Sequence, residues 1–307
     1  MDKPLLGRRR MLELGAGFVG AATLAACAPA ARIPEGSAAG PDAGTGRPGS
    51  AAPSTSSAAA VSGTPAPRVD VTSGSFTTKF RPDTPTGWSL ATPVVSGHDE
   101  AKMPVALFLH GTGSDNRFLF DDLGIQAVLQ RYLVDDGTPF AIASVDGGDS
   151  WWHPRADGTD TESMLLEEFI PFLAGQGLDL GRFGLFGLSM GGFGALLLAS
   201  QGKIPGLKAV AAMSPAVWSD YDDGLDGAFD SPEDFEANDV FALRSRLKDL
   251  PKRIDCGTDD PLLPSVKDYV AGLPGHVEGG YQPGGHEEAY WRLILPSLLS
   301  FLGRQLA

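Results

Sequence analysis

Residues 182–200 read RFGLFGLSMGGFGALLLAS, an apolar strand-like run, a Gly-Leu-Ser-Met-Gly segment and then a run of small and aliphatic residues typical of a helix. The middle segment fits the pattern Gly-x-Ser-x-Gly, and its place between a strand and a helix is the context in which that pattern is meaningful. Glycines flank the serine because side chains would collide where a strand turns so sharply into a helix. Ser189 is therefore the candidate nucleophile.

Short apolar runs alternate with longer amphipathic runs from residue 76 to the C-terminus. Continuous apolar runs are typical of buried parallel strands, and the longer runs carry helical spacing. The alternation predicts one α/β domain over residues 69–307, with a mostly parallel central sheet and helices on both faces. Strands are predicted at 105–109, 140–145, 182–186, 207–213, 253–256 and 277–281, and helices at 118–133, 161–175, 190–201, 234–248, 263–272 and 286–305.

The loops that follow predicted strands supply candidates for a triad acid. A hydroxyl nucleophile needs a base, and an imidazole base needs a carboxylate to fix its tautomer. In proteins whose nucleophilic serine lies on such a strand-to-helix turn, the triad residues follow one another along the chain in the order serine, acid, histidine. Asp259 and Asp260 both follow the predicted strand that ends in RIDC, whereas Asp255 lies within it and is expected to be structural. Spacing alone does not choose between Asp259 and Asp260.

Histidine is the expected base, and His286 has the position for it. His286 lies in the sequence GGHEEAYW after the last predicted strand, whereas His276 precedes that strand. The alternative for His286 is a surface histidine that caps its helix. The remaining three histidines precede Ser189 and fit the chain order poorly: His98, His110 and His153.

Two backbone N–H groups are expected to stabilise the oxyanion of a tetrahedral intermediate. Met190, the residue after the nucleophile, should supply one. The second should come from the loop at 110–113, where glycines let the backbone approach the substrate. A phosphate-binding loop is the alternative for this glycine-rich segment, but no GKS or GxGxxG motif accompanies it.

Aromatic residues concentrate in the segment VDGGDSWWHPRADGTD, on a predicted active-site loop. Trp151, Trp152 and His153 are candidates for lining a substrate pocket. The equally weighted alternative is that the tryptophans close the core beneath the loop and that Arg155 pairs with a nearby carboxylate.

The N-terminus has the pattern of an export signal. Residues 7–13 read GRRRMLE and precede LGAGFVGAATLAAC, a cationic stretch, a short apolar run and small residues before a cysteine. The apolar run is shorter than the roughly 20 residues that a membrane-spanning helix needs. Residues 1–26 are predicted to be a signal peptide, and a retained transmembrane anchor is the weaker alternative.

The four residues LAAC that end at Cys27 resemble a lipobox, and Arg8 and Arg9 resemble a twin-arginine export motif. Cys27 would then be the lipidated first residue of a mature protein anchored to the outer face of the cytoplasmic membrane in a bacterial cell envelope. The alternatives are a conventional cleavage site near Cys27 and export by the general secretion route.

Residues 27–68 consist largely of Ala, Gly, Pro, Ser and Thr, a composition that cannot bury a core and that predicts a disordered linker.

The chain has 2 cysteines, so acylation of Cys27 would leave Cys256 as a lone thiol. Neither cysteine lies in a metal-binding pattern, and we expect no metal and no organic cofactor. The net charge of −14 argues against a nucleic-acid partner, because phosphate binding depends on clustered Lys and Arg.

Five motifs in order, HGTGS, DGGDSWWHPR, GLSMGGFGALLLA, CGTDDPLL and GGHEEAYW, together resemble the esterase branch of the α/β-hydrolase superfamily over about residues 100–305. That branch includes S-formylglutathione hydrolases, feruloyl and tributyrin esterases, and mycobacterial mycolyltransferases. The resemblance implies the α/β-hydrolase fold, with Asp260 as acid, His286 as base and Thr112 as second oxyanion donor. The sequence departs from it at Thr112, where Leu is common, and at Glu287 and Glu288, where many members are more apolar.

The leading hypothesis is a serine esterase that hydrolyses exported or cell-envelope esters, small-molecule, lipid or sugar, through an acyl-Ser189 intermediate. An acyltransferase that moves the acyl group to an envelope hydroxyl would use the same triad. A noncatalytic envelope-binding protein is the third hypothesis, and an apparently complete triad argues against it. The sequence carries no signal for an oligomeric state.

Overall fold

Eight strands form a single sheet in residues 66–95 and 103–307, the part of the chain that this computed structural model describes. The strands are β1 (Arg68–Phe76), β2 (Thr86–Val94), β3 (Met103–Leu109), β4 (Ala141–Val145), β5 (Leu178–Leu188), β6 (Leu207–Met213), β7 (Lys252–Gly257) and β8 (Glu278–Gln282). Their order across the sheet is β1-β2-β4-β3-β5-β6-β7-β8. β1 and β2 run antiparallel to their neighbours, and every pairing from β4 to β8 is parallel.

Helices connect the parallel strands, as a parallel sheet requires. They are α1 (Phe118–Asp121), α2 (Ile125–Val134), α3 (Thr161–Ser163), α4 (Ile170–Gly175), α5 (Met190–Gln201), α6 (Pro232–Ala237), α7 (Leu263–Ala271) and α8 (Glu288–Leu306). A π-helical segment (Met164–Phe169) joins α3 to α4, and 3₁₀ turns cover Tyr221–Asp223 and Arg244–Leu247.

Two apolar layers cover the two faces of the sheet. All seven residues of β3 are buried, and they alternate between the layers because successive strand side chains point to opposite faces. Leu107 lies in the layer that contains residues of α4, α5 and α7, and Phe108 lies in the layer built from α2 and α8. The expected α/β-hydrolase fold, a mostly parallel sheet with helices on both faces, is therefore what the chain adopts.

The structure differs from the sequence prediction in three places. The sequence does not predict β1 and β2, because neither has the continuous apolar run that marks a buried strand. Exposed positions interrupt β1, and the polar residues Thr86, Ser89 and Thr92 interrupt β2. The helix predicted at 118–133 is two helices, separated at Gly124, which has a φ of +67°. The helix predicted at 234–248 is also interrupted, and only α6 and the 3₁₀ turn at Arg244–Leu247 are helical there.

The predictions for the N-terminus lie outside the described residues. These are the signal peptide at 1–26, the lipidated Cys27 and most of the linker at 27–68. β1 begins at Arg68, the last residue of the predicted linker. No helix within residues 66–95 or 103–307 combines the length and apolar character that crossing a membrane requires.

The central position of β3 generates a stability prediction. The Leu107 side chain is 0% exposed, whereas Leu293 on α8 is 61% exposed. Leu107→Ala should lower the free energy of unfolding by about 3 kcal/mol, because it removes buried apolar surface and leaves a cavity. Leu293→Ala, the matched control, should change it by less than about 0.5 kcal/mol. Urea denaturation measures both, and equal effects would contradict this position for β3.

Candidate active site

The turn between β5 and α5 holds Ser189 in a conformation that few side-chain-bearing residues adopt. Its φ is +51° and its ψ is −119°. A Cβ at Gly187 would lie 2.2 Å from the carbonyl oxygen of Gly191, and a Cβ at Gly191 would lie 1.9 Å from the carbonyl oxygen of Leu109. Both glycines are therefore needed for the backbone to pass this closely, and the turn leaves Ser189 half-buried at the edge of the sheet.

The structure brings Ser189, His286 and Asp260 together in one hydrogen-bonded chain, called the triad below. His286 Nε2 lies 3.0 Å from Ser189 Oγ, and His286 Nδ1 lies 2.9 Å from Asp260 Oδ2. Ser189 follows β5, Asp260 follows β7, and His286 follows β8. Parallel strands end at the same edge of the sheet, so residues far apart in sequence meet there.

Backbone hydrogen bonds tie the acid loop to the histidine loop. Thr258 donates its N–H to the carbonyl of Gln282 at 2.8 Å, and Asp259 donates its N–H to the carbonyl of Gly284 at 2.9 Å. A Cβ at Gly257 would lie 2.2 Å from the Gly284 oxygen, so glycine is required at this contact. The distance between the Asp260 and His286 side chains is thus set by the backbone.

Asp260, rather than Asp259, faces His286. The Asp260 side chain is buried and also accepts the N–H of Leu262 at 2.9 Å, whereas Asp259 is exposed. Burial alone would raise the pKa of Asp260, but hydrogen bonds from His286 and Leu262 and the charge of His286 outweigh it and lower that pKa. Asp260 is consequently a carboxylate at neutral pH.

Asp255 and Cys256 on β7 have other environments. Asp255 is buried in a two-point ion pair with Arg253, with distances of 2.6 and 3.0 Å, in agreement with the structural role expected for it. Cys256 is a free and fully buried thiol, and burial raises its pKa to about 12. Neither Asp255 nor Cys256 is therefore the nucleophile or the base of this site.

The loop after β3 lies against the nucleophile. A Cβ built on Gly111 would be 3.5 Å from Ser189 Cβ. Thr112 is the next residue and is exposed, while Met190 is the first residue of α5, whose leading N–H groups have no acceptor within the helix. These positions suit two oxyanion donors, and their role as donors stays a prediction.

His110 fixes this loop from beneath. Its Nε2 accepts the N–H of Gly147 at 2.9 Å, so its Nδ1 carries the proton and donates to the carbonyl of Gly111 at 2.8 Å. Burial lowers the pKa of His110, which keeps the ring neutral. On the far side of the loop, Gly113 donates its N–H to Asp149 Oδ1 at 2.7 Å. His110 and Asp149 lie within the motifs HGTGS and DGGDSWWHPR, but the sequence predicts no role for either side chain.

Trp151, Trp152 and His153 are buried side chains. Trp152 Nε1 donates to the carbonyl of His110 at 3.3 Å, and Trp151 packs edge-on against Phe193 with ring centroids 5.9 Å apart. Both tryptophans belong to one apolar layer of the core. This environment fits the alternative that they close the core beneath the loop, and a role in binding substrate stays a prediction for all three.

Arg155 forms an ion pair with Asp230, at 2.8 Å, as that alternative also expected. The pair borders a polar cleft of ≈ 310 Å³ beside the β4 loop, lined by Arg81, Gly148 and Asp149 among others. No triad residue lines this cleft. In the part of the chain that the structure describes, His, Cys, Asp and Glu side chains form no group of three or more that could hold a metal ion.

Comparisons with known proteins point to one family. The sequence profile of a family described as "Putative esterase" matches residues 82–302. No curated protein matches the chain. A solved ferulic acid esterase superposes with a TM-score of 0.67 at 22% identity, covering 78% of this chain and 99% of that one.

Two further solved structures are similar. An S-formylglutathione hydrolase from Agrobacterium tumefaciens has a TM-score of 0.63 at 16% identity, covering 77% of this chain and 95% of its own. A ferulic acid esterase from Anaeromyces mucronatus, solved with ferulic acid, has a TM-score of 0.60 at 18% identity, covering 78% of this chain and 91% of its own. At sequence identities of 16–22%, the similarity to these structures shows that the fold is shared.

The close approach of Gly191 to β3 generates a second prediction. Gly191→Ala would force a Cβ into the Leu109 carbonyl, so it should destabilise the fold by more than about 4 kcal/mol or prevent folding. Gly175→Ala is the matched control, because no atom lies within 4 Å of the added Cβ at the end of α4. That control should fold normally. Circular dichroism and urea denaturation give the comparison, and a stable Gly191→Ala protein would show that the turn is not this tight.

Proposed function

Because this chain belongs to the esterase family and is a carboxylic ester hydrolase, we propose that it is a serine esterase that cleaves its substrate through an acyl-Ser189 intermediate. The observation that carries the proposal is the hydrogen-bonded chain from Asp260 through His286 to Ser189, with distances of 2.9 and 3.0 Å. Such a chain supports a nucleophile, a base and an orienting acid in that order.

Acylation begins when His286 Nε2 takes the Ser189 proton as Oγ attacks the ester carbonyl carbon. The carbonyl double bond becomes a C–O⁻ single bond. The resulting oxyanion accepts hydrogen bonds from the backbone N–H groups of Met190 and Thr112. The oxyanion then reforms the carbonyl and expels the alcohol, which takes its proton from His286. Water then attacks the acyl carbon while His286 takes a proton from the water. The bond between the acyl carbon and Ser189 Oγ breaks, Oγ takes the proton back from His286, and the acid is released.

Asp260 keeps His286 in the tautomer that this sequence needs. A carboxylate accepts only, so the imidazole proton stays on Nδ1 and the lone pair of Nε2 faces Ser189. The lowered pKa of Asp260 supports an ionised acid through the working pH range, and its charge stabilises the imidazolium that forms in each step. The negative charge stays on Asp260 throughout.

The alternatives from the sequence are not favoured. The family is one of esterases, and the named structural relatives are esterases and a hydrolase. An acyltransferase would need a second recess for its alcohol acceptor, and a noncatalytic binding protein has no use for an aligned base. Hydrolysis requires only water as the acceptor, so it is the proposal.

We further propose that the enzyme acts outside the cytoplasm, tethered through a lipid on Cys27. The support is the signal-like sequence at 1–26, the LAAC tetrad that ends at Cys27, and the composition of residues 27–68, which are mostly Ala, Gly, Pro, Ser and Thr. A tether of this length would let the domain reach esters of small molecules, lipids or sugars in the cell envelope. We therefore propose esters of the cell envelope as the substrate class.

The triad assignment has a direct test with the full-length chain. Ser189→Ala and His286→Ala should abolish hydrolysis of p-nitrophenyl esters, and Ser189→Ala should abolish labelling by a fluorophosphonate probe. Asp260→Asn should lower kcat by about 10⁴-fold, because it favours the wrong His286 tautomer. Asp259→Asn, the matched control from the neighbouring position, should retain most of the activity. A folded wild-type protein that neither hydrolyses the esters nor becomes labelled by the probe would contradict the proposal.

The lipid anchor is tested separately in cells. The wild-type chain should incorporate labelled fatty acid and sediment with membranes, and Cys27→Ser should lose both properties because it lacks the acceptor thiol. Cys256→Ser is the control and should behave as wild type. Lipid incorporation that survives Cys27→Ser would exclude this anchor.

A further inference from the structure

Side chains hold each of three successive peptide units in the loop that follows β3, between His110 and Gly113. In the first unit, the carbonyl of His110 accepts the indole N–H of Trp152 at 3.3 Å. In the second, the carbonyl of Gly111 accepts the Nδ1–H of His110 at 2.8 Å. In the third, the N–H of Gly113 donates to Asp149 Oδ1 at 2.7 Å. The backbone of this loop therefore has little freedom to rotate.

The second peptide unit sets the direction of the Thr112 N–H. The C=O and N–H of a trans peptide point in opposite directions, and the described chain has no cis peptide bond. Because the Gly111 carbonyl points at the buried His110 ring, the Thr112 N–H of the same unit points away from that ring. Within the described residues, no hydrogen bond joins this N–H to another group. It is therefore available to a ligand.

The composition of the loop explains why this direction needs support. Thr112 lies between Gly111 and Gly113, and glycine adopts positive and negative φ about equally well. A free peptide unit between Gly111 and Thr112 could rotate and present its carbonyl oxygen, which would repel an oxyanion. A donor contributes to catalysis only when it is already oriented before charge develops. The hydrogen bonds to the two flanking glycines oppose such a rotation.

The His110 ring is itself fixed on two sides. Its Nε2 accepts the N–H of Gly147 at 2.9 Å, and the side chain is 0% exposed. The ring meets Trp152 edge-on, with centroids 5.1 Å apart and an interplanar angle of 68°. A half-turn of the ring would move both nitrogens away from their partners and break both hydrogen bonds. The donor to the Gly111 carbonyl is thus held in one orientation.

Trp152 connects this support to the helix that follows the nucleophile. A Cβ at Gly194 on α5 would lie 2.6 Å from Trp152 Cβ, and a Cβ at Gly147 would lie 2.6 Å from Trp152 Cη2. The indole is therefore wedged between α5 and the loop after β4, where two glycines make room for it. Its φ is +62°, a strained conformation for a bulky residue. Such strain is found where the side chain has a function.

We propose that Trp152, His110 and Asp149 are positioning residues of the oxyanion site. Together they keep the Thr112 N–H in the one direction that leaves it free to meet the oxyanion. The inference rests on the proposed function, in which Thr112 is an oxyanion donor. It gives Trp152 a role beneath the site, and it gives Asp149, which also borders the polar cleft beside the β4 loop, a role in catalysis without contact with substrate.

Asp149→Ala is the first test, because this side chain is exposed and its loss leaves the core intact. It should lower kcat by about tenfold and change KM by less than about twofold, since the Thr112 N–H then samples other directions while substrate contacts remain. A trifluoromethyl ketone, whose adduct with Ser189 carries an oxyanion, should bind about tenfold more weakly. Steady-state kinetics and inhibition constants measure these changes.

Asp149→Asn separates the hydrogen bond from the charge. The amide oxygen of Asn accepts the same N–H, so this variant should stay within about threefold of the wild-type kcat. Asp157→Ala is the matched control. Asp157 is an exposed aspartate on the same cleft, and it accepts the N–H of Thr159 in its own turn at 2.8 Å. That control should keep the wild-type kcat and inhibitor affinity.

The two buried residues have tests of their own. Trp152→Phe keeps a ring in the wedge and removes the indole donor, so it should lower kcat more than it changes KM. His110→Asn keeps a donor for the Gly111 carbonyl, whereas His110→Phe keeps a ring and no donor. His110→Asn should therefore be the faster of the two. The Asp149 variants keep the inference testable where a core variant does not fold.

NMR relaxation of the Thr112 amide in the full-length chain reads the same restraint without turnover. Its order parameter should be about 0.85 in the wild type and in Asp157→Ala, and should fall toward about 0.6 in Asp149→Ala. A wild-type order parameter in Asp149→Ala would overturn the inference, as would a wild-type kcat in that variant. Equal slowing in Asp149→Asn and Asp149→Ala would also overturn it, because the charge would then be the cause.

Failure of the esterase proposal has a different signature. It would leave the wild type inert toward esters and toward the fluorophosphonate probe, whereas the relaxation measurement would still report whether Asp149 holds the Thr112 amide. The two failures are therefore distinguishable.

Discussion

The approach of the Gly191 backbone to the end of β3 is the constraint on which the rest of the site depends. Because this contact leaves no room for a Cβ, the first turn of α5 can pack directly on the Leu109 carbonyl. The same contact places the β3 loop beside Ser189 and the start of α5 beside that loop. Nucleophile position, helix N-terminus and glycine-rich loop are therefore consequences of one steric condition rather than three independent features.

The parallel sheet completes the arrangement from the other side. β7 and β8 are neighbours, so the loops that follow them can exchange backbone hydrogen bonds before any side chain is considered. Asp260 and His286 then need only short side chains to meet. The buried groups near Asp260, namely Cys256 and Tyr290, stay uncharged near neutral pH because burial raises their pKa values. The charge of Asp260 consequently acts on His286 with little competition.

Local sequence signals account for most of this fold and for the centre of the site. The continuous apolar runs of β3, β5 and β6 made those strands predictable, and the glycines around Ser189 did the same for the turn. β1 escaped prediction because most of its side chains are exposed, and strand pairing rather than apolar pattern makes it a strand. His110 and Asp149 escaped prediction because their hydrogen-bond partners lie in other loops. His110 accepts the N–H of Gly147, and Asp149 accepts the N–H of Gly113.

The burial of Cys256 has a consequence for the redox chemistry of the chain. Only a thiolate attacks a disulfide, and burial raises the pKa of Cys256 to about 12, so this group stays a protonated thiol at neutral pH. In an oxidising compartment, such a thiol neither crosslinks two copies of the protein nor forms mixed disulfides with small thiols. Residues 66–95 and 103–307, the part of the chain that the structure describes, therefore present no reactive sulfur on which a disulfide could form.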